Sequence, residues 1–348
     1  MTTPDAAKHV YDAAPLRPFH LRVTVASFGG VFSDGFGLGI VGVALAQASA
    51  PLGLTPLWLG LLGAASLAGL FLGALLTGPA ADRFGRRPIF GYNMLALGVL
   101  SALQFVVRSP EQLLLLRLSI GFLLGTDYVV SKALLTEFTP AAFRARVMST
   151  LSVAWAGGYT CAYFVGYLLR DGGPDAWRWM LATSALPCLA ILLLRWTLPE
   201  SPLWLVAKGR TSEAIRVVER HIGANVMPPA ASTASAAGHG QWSNLFSSSL
   251  RRNTLVGCVF FTAQVIPYFA VGTFVNEVLR ALAVEDDFIG GLAYNAALLS
   301  GAVLGLLTVD RMPRRVFLIG SFLVTAGALL LMLSPLAAKG AVSVVLFA

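Results

Sequence analysis

Charge is scarce in this chain: Asp, Glu, Lys and Arg make up 12% of its 348 residues, against roughly 25% in a soluble domain. That shortage excludes an ordinary water-exposed surface. Cysteine is scarcer still, with Cys161, Cys188 and Cys258 all inside apolar runs and at no paired spacing, which excludes a disulfide framework. The 4 histidines form no ligand pattern, so no metal site is expected. No nucleophile elbow or phosphate-binding loop follows a compatible strand. The chain therefore reads as neither an enzyme nor a cofactor protein.

Apolar residues are abundant, at 56%. A bilayer-spanning helix needs about 20 of them in succession. Such runs lie near 23–46, 57–80, 89–106, 112–135, 147–169, 179–198, 254–275, 288–309 and 316–336, with a tenth begun near Ala341. The resulting expectation is an all-α polytopic membrane protein. The sequence "ALAQASA" after the first run imitates a signal-peptidase site, but the run is too long for a signal peptide and further spans follow, so it is read as retained.

The net charge of +8 does not point to nucleic acid, because the basic residues gather in alternate loops. Arg83, Arg86 and Arg87 follow span 2; Arg144 and Arg146 follow span 4; Lys208, Arg210, Arg216, Arg220, Arg251 and Arg252 follow span 6; Arg311, Arg314 and Arg315 follow span 8. The positive-inside rule places these loops and the N-terminus in the cytoplasm. The long polar segment between spans 6 and 7 divides the chain into a six-span bundle (1–198), a cytoplasmic loop (199–253) and an incomplete second bundle (254–348). Within the loop, Ala214, Ile215, Val218 and Ile222 recur at helical spacing, predicting an amphipathic helix capped by Thr211 or Ser212 and laid against the cytoplasmic face. The stretch "MPPAASTASAAGHG" lacks periodicity and reads as a linker.

The segment "DRFGRRPIF" after span 2 recurs as "DRMPRRVFL" after span 8, so that Asp82, Arg83, Arg86 and Arg87 correspond to Asp310, Arg311, Arg314 and Arg315. Two copies on one membrane side indicate parallel repeats, a transporter architecture with the substrate site near the midplane between the halves.

Four further patterns carry a resemblance. Gly78, Asp82, Arg83, Gly85, Arg86 and Arg87 form GxxxDRxGRR; Arg117, Gly121 and Gly125 form RxxxGxxxG; Glu137, Pro140 and Arg144 form ExxPxxxR; and "PESPLWL" runs from Pro199 to Leu205. In these the chain resembles the major facilitator superfamily, in particular its sugar-porter-like bacterial members, and most closely inner-membrane metabolite:proton symporters. Leu203 stands where that family has arginine in the last pattern. The resemblance implies the superfamily fold and a multi-pass location in the bacterial inner membrane. It also implies a C-terminally truncated chain, with about nine complete spans and part of a tenth of the usual twelve.

An ionisable group at the centre of a span costs about 2.5–3.5 kcal/mol on insertion scales and must find a partner or water. Asp34 lies about 16 Å into span 1 and Arg117 about 8 Å into span 4 from the other side, so an Asp34–Arg117 pair is geometrically possible. Protonating the carboxylate would break the pair and link proton entry to conformation. Proton-coupled sugar porters resemble this arrangement; the alternative is that both residues only orient helices. Asp127 is a candidate to contact substrate or to stabilise a facing helix. Lys132 either attracts an anionic substrate or snorkels to the interface.

Neutral candidates for substrate contact are Trp155 and Tyr159 in span 5, Gln264 and Tyr268 beside Pro267 in span 7, and Asn295 in span 8. Pro267 marks a gating bend, although aromatics at helical spacing more often pack than bind. Gly121, Gly125, Gly157 and Gly158 permit close helix approach. At the cytoplasmic end, Gly78, Asp82, Arg83, Gly85, Arg86, Arg87, Glu137, Arg144 and Glu200 are expected to form a conformational latch. In it Asp82 accepts from a neighbouring helix N-terminus and meets Arg144. The sequence thus reads as a monomeric, proton-coupled secondary transporter of a small sugar-like or carboxylated metabolite, partnered by lipid, substrate and protons. Its rivals are an uncoupled facilitator and a non-transporting binding or sensor relative.

Overall fold

The computed structural model describes residues 11–228, 245–273, 275, 279, 287–308, 311 and 313–332. Its regular elements are helices: α1 (Pro18–Ala48), α2 (Pro56–Phe84), α3 (Arg86–Leu103, extended by a 3-10 turn, Gln104–Val106), α4 (Pro110–Phe138), α5 (Ala141–Leu169), α6 (Ala176–Thr183), α7 (Ala185–Trp196), α8 (Pro202–Ala207), α9 (Thr211–His221), α10 (Arg251–Thr273), α11 (Asp287–Thr308) and α12 (Arg314–Met332). Among the described residues, 7 stretches are long and apolar enough to cross a membrane: α1, α2, α3 with its 3-10 turn, α4, α6 with α7, α10, and Gly290–Thr308 of α11. The expected fifth span appears as α5, 29 residues long, but its glycines, hydroxyls and tyrosines dilute its apolarity. The ninth appears as α12, Arg314–Met332, with an apolar stretch at Arg315–Ala328 among the described residues. The tenth run near Ala341, Asp310 of the repeat and most of the linker lie outside the described residues.

Helix starts follow a local rule. Thr55, Ser109 and Ser201 each accept a hydrogen bond from the backbone N–H three residues on, and each is followed by proline at the first helical position. The hydroxyl satisfies an orphan donor and the proline sacrifices a donor that had no partner. The expected continuous sixth span is instead broken at Ser184, whose N–H bonds to Leu181 O in a tightened turn. Pro187 explains the break: it cannot donate to the carbonyl of residue 183, and its ring crowds that turn.

Packing is tightest where glycines face backbone. A Cβ at Gly69 or Gly73 of α2 would strike the α4 backbone near Leu118 and Phe122, and one at Gly121 or Gly125 would strike α2 near Ser66 and Leu70. Two small-xxx-small stripes thus press α2 and α4 together, and this is the most extensive helix contact, followed by α1 on α5. Gly158 of α5 abuts Phe32 O, while Gly157 has only ordinary van der Waals neighbours. The core runs through this first bundle. α11 rests on α5, and α10 touches α1.

The predicted amphipathic helix is α9. It buries Ala214, Val218 and Ile222 in one cluster with Phe19 and Phe138 or beside it, and His221 lies against Phe19 at 4.7 Å. Two details differ from expectation. Ile215 is exposed, and the N-cap position is Arg210, which makes no side-chain cap. Arg210 forks onto Glu213 instead, at 2.7 Å, holding the first turn through charge.

Candidate functional site

The chemistry gathers inside the first bundle, where the guanidinium of Arg195 enters from α7. It pairs with Asp127 through both oxygens, with Nη2 to Oδ2 at 2.9 Å, and neither side chain has any exposure. Further donors reach Ser131 Oγ at 3.2 Å, Ala26 O at 3.3 Å and Phe90 O at 3.3 Å, while the guanidinium carbon lies 3.8 Å from the Phe90 ring centre. Ser131 donates to Asp127 Oδ2 at 2.9 Å. Gly30 makes room for the arginine, since a Cβ there would overlap the guanidinium. A buried ion pair is stable only when its remaining donors and lone pairs are met in this way.

Asp34, one helical turn beyond Gly30, is 4% exposed. Its carboxyl is set against that of Asp127, within the fields of Arg195 and Lys132, and its Oδ1 has no hydrogen-bond partner. Arg195 is ion-paired with Asp127, and Asp34 makes no ion pair among the described residues, so it is the acid of the cluster left without one.

Arg117 does not meet Asp34, and the expected pair is corrected here. Its Nε donates to Ser66 Oγ at 3.0 Å, Nη1 to Gln104 Oε1 at 3.2 Å and Nη2 to Gly37 O at 3.0 Å. The residue is 1% exposed with no carboxylate within ion-pair range among the described residues. Arg117 grips α1 one turn past Asp34, because its side chain runs across to the near carbonyl rather than down toward the acid.

Of its two expected roles Asp127 takes the second here, tying α4 to α7 through Arg195, with Ser131 as a further donor. Arg195 itself escaped sequence reading. It sits near the end of span 6 in "LLLRWTL", where an arginine ordinarily marks the interface; the available signal was that its reach inward matched the depth of an unpaired acid. Lys132 places its ammonium 3.2 Å from the centre of the Tyr128 ring.

Of the neutral candidates, three come together. Trp155 stacks on Tyr159 at 5.1 Å and meets Tyr268 at 5.5 Å, with Phe269 completing the group at 6.0 Å from Trp155. These rings come from α5 of one half and α10 of the other, and Trp155 borders Asp34 through Gly35, whose Cβ would hit the Trp155 backbone. Gln264 does not join them and is exposed. Asn295 is fully buried, donating to Gly291 O at 2.8 Å while its backbone oxygen accepts from Thr160 at 3.0 Å, and its Oδ1 is unpartnered. α10 runs unbroken from Arg251 to Thr273; the Pro267 side chain lies outside the described residues.

At the basic end, Arg86 bridges Asp82 at 3.0 Å and Glu137 at 3.1 Å. Glu200 accepts from the N–H groups of Arg86 at 3.0 Å and Arg87 at 3.2 Å, so it, not Asp82, occupies the α3 N-terminus, where the helix dipole favours an anion. Gly85 makes the turn at φ 99°, and a Cβ there would also strike Glu200. Trp204 Nε1 donates to Asp82 O at 2.9 Å. Arg144 departs from expectation: it pairs with Asp12 at 2.8 Å and donates to Thr139 O at 3.1 Å, because its start-of-helix position faces the N-terminal segment. Arg83 lies over its neighbour Phe84, and Gly78 touches nothing a Cβ would disturb.

The chain is thus a multi-pass helical bundle with an ion pair sealed inside it, which suits a membrane transporter. A family model described as "Sugar (and other) transporter" matches residues 23–348, and the chain belongs to that family. It is 40% identical over 321 residues to the inner membrane metabolite transport protein YgcS of Escherichia coli K12, covering 92% of this chain and 72% of that one. It is 37% identical over 317 residues to the putative metabolite transport protein YaaU of the same organism, covering 90% and 70%. The fold matches the E. coli xylose transporter XylE in a partially occluded inward open conformation with TM-score 0.73 at 20% identity, over 94% of this chain and 83% of that one.

Proposed function

We propose that this transporter is a proton-coupled symporter of a small sugar-like or carboxylated metabolite, acting as a monomer by alternating access in the bacterial inner membrane with its N-terminus in the cytoplasm. The observation that carries the reading is the unpaired acid: Asp34, buried, with one oxygen unpartnered, beside an Asp127–Arg195 pair that already balances its own charge. A proton on Asp34 lets it donate to Asp127 and leaves the cluster neutral. Its loss puts two carboxylates against one guanidinium, a repulsion relieved when α1 shifts so that Asp34 gains Arg117, now one turn away at Gly37 O, or Lys132. Proton occupancy thereby biases which arrangement the bundle takes.

Substrate contact is proposed at Trp155, Tyr159 and Tyr268, because these rings join the two halves and the backbone of Trp155 abuts Gly35, the neighbour of Asp34. Their faces suit the carbon skeleton of a small polar molecule. Asn295, with its free amide oxygen, is proposed to bind substrate or water once α11 moves on α5. The Asp82–Arg86–Glu137–Glu200 network, with its neighbours, is proposed as a latch whose strain changes between states. The division into 1–198, 199–253 and 254–348 follows from the same scheme, the second segment tying the two bundles.

Uptake into proteoliposomes, using a panel of labelled pentoses, hexoses and small organic acids, tests this. Wild type is expected to accumulate its substrate only when the outside is more acidic. Asp34→Asn should retain exchange at equal pH but lose accumulation. Accumulation surviving in Asp34→Asn, or uptake indifferent to the gradient, overturns coupling; no exchange of any panel member overturns the substrate class.

A further inference from the structure

The two halves of the bundle meet through glycines as well as through rings. Gly42 lies near the end of α1, and a Cβ there would sit 2.6 Å from the carbonyl oxygen of Thr273 at the end of α10. Near the start of α11, a Cβ at Gly291 would strike the ring and hydroxyl of Tyr163 near the end of α5. A Cβ at Gly272 would lie 3.0 Å from the Tyr159 hydroxyl. One turn back along α5 and one turn on along α11, Thr160 donates to the backbone oxygen of Asn295 at 3.0 Å.

These positions share one end of the molecule. α1, with Phe19 against Phe138, α5 and α10 all begin at the basic end, and α11 runs back to it. Gly42, Tyr163, Thr273 and Gly291 therefore lie at the opposite end. There Val275, Leu279 and Tyr294 join Val41, Val43 and Tyr163 in one buried cluster. Toward the basic end the same two helices leave Leu255 and Val259 of α10 at 65% and 61% exposed, and Leu304 and Leu307 of α11 at 61% and 57%. Among the described residues, the contacts between the halves thus concentrate at the end away from the basic loops.

We propose that Gly42 and Gly291 are positioning residues of a gate at that end: the close approach they permit belongs to the arrangement in this structure and is given up in the other. The inference rests on the alternating-access part of the reading above. Its physical ground is a contrast with the glycines inside the first bundle. Gly121 of α4 presses on the α2 backbone at Ser66, and both helices belong to one half, so that contact persists whichever way the halves turn. A methyl group there strains both arrangements alike. A methyl group at Gly42 or Gly291 strains only the clasped arrangement, and an equilibrium shifts by the difference between its states. α1 also ties the gate to the proton. Asp34 and Gly42 ride on one continuous helix, about 12 Å apart at 1.5 Å per residue, so the α1 shift proposed for the unprotonated acid carries Gly42 off Thr273.

The test is the labelling of Val41→Cys by a charged maleimide, on the full chain in neutral detergent without substrate. Val41 is 3% exposed and lines a small void with Phe269 and Thr273. Labelling is read at residue 41 by peptide mass spectrometry, alongside the thermal midpoint. Adding Gly42→Ala or Gly291→Ala is expected to raise the labelling rate at least about fivefold, the low end of a coupling between two sites. Thr160→Val keeps the side-chain shape and removes the hydrogen bond to Asn295; it should raise the rate about threefold, the net effect of one hydrogen bond. Gly121→Ala should lower the midpoint and leave the parent rate unchanged. An equal rise in Gly121→Ala would overturn the gate in favour of general loosening. An unchanged rate in folded Gly42→Ala and Gly291→Ala would overturn it outright; if neither folds, an unchanged rate in Thr160→Val does so. Labelling needs neither substrate nor a proton gradient, so the gate fails in this experiment and the symport reading fails in uptake, each without the other.

Discussion

Two arginines are sealed in the first bundle, and their surroundings are opposite. Arg195 meets a carboxylate, two carbonyls, a hydroxyl and an aromatic face. Arg117 meets a hydroxyl, an amide oxygen and a carbonyl, all neutral. Burying a charge costs several kcal/mol unless a counter-ion and hydrogen bonds offset it. The Arg195 centre is therefore a closed account of charge, while Arg117 is held by geometry alone and retains an unmet attraction for an acid. In a bundle that must take two arrangements, the first kind of site resists rearrangement and the second invites it. Asp34 lies between them.

The comparison breaks most severely at Asp127. Asp127→Ala strands Arg195 without its counter-ion and is expected to cost about 3–5 kcal/mol, the scale for breaking a buried pair, read as a fall in thermal midpoint in detergent; a change within error would mean that the pair contributes nothing. Replacing both partners, Arg195→Met with Asp127→Leu, should sharpen the contrast. Stability should stay within about 1–4 kcal/mol of wild type on the stable side or equal to it, while pH-driven accumulation disappears because Asp34 has lost the groups that sense its proton.

A smaller loss is expected at Gly30→Ala, where the new methyl group overlaps the Arg195 guanidinium. Overpacking of this kind costs about 1–3 kcal/mol, and Gly78→Ala, with open space around it, is the control. Arg117→Met removes three hydrogen bonds yet also removes an uncompensated charge, so its net effect should fall below that of Asp127→Ala, at about 1–3 kcal/mol. If it equals or exceeds Asp127→Ala, the contrast between the centres is wrong.

The smallest effect belongs to Arg210 and Glu213, whose side chains are 49% and 37% exposed. Hydrogen bonding from Arg210 holds the Glu213 carboxyl below its ordinary value. The sign follows: a depressed folded value gives a contribution present above the unfolded pKa and lost as pH falls through the folded one. Glu213→Gln should remove that acid-side dependence from α9 with little change at neutral pH, as exposed pairs contribute little; a large neutral-pH loss would contradict this.

Much of the scaffold was legible in order along the chain, because span length and apolarity are one-dimensional properties. The Thr55-Pro56, Ser109-Pro110 and Ser201-Pro202 starts could be read as caps from neighbouring residues alone, and the α9 face from its period. Span 6 was legible in position but not in continuity: Pro187 disrupts the turn before it, and the consequence falls at Ser184. The Asp34–Arg117 pairing misread the site because depth fixes how far along an axis a group lies, not which way around it the side chain turns. Arg195 was missed for the same reason, its backbone being near an interface while its charge lies inside.

What the sequence determined by itself is the class of molecule: so few charges in so many apolar residues cannot fold in water alone, and signatures in order at fixed loop positions mark the family. Only the tertiary structure decided the partners of the buried charges. Which acid an arginine reaches depends on the rotation of two helices about their axes, and the contacts that set it, Gly30 yielding space to Arg195 and Gly37 offering its carbonyl to Arg117, come from residues far apart in the chain.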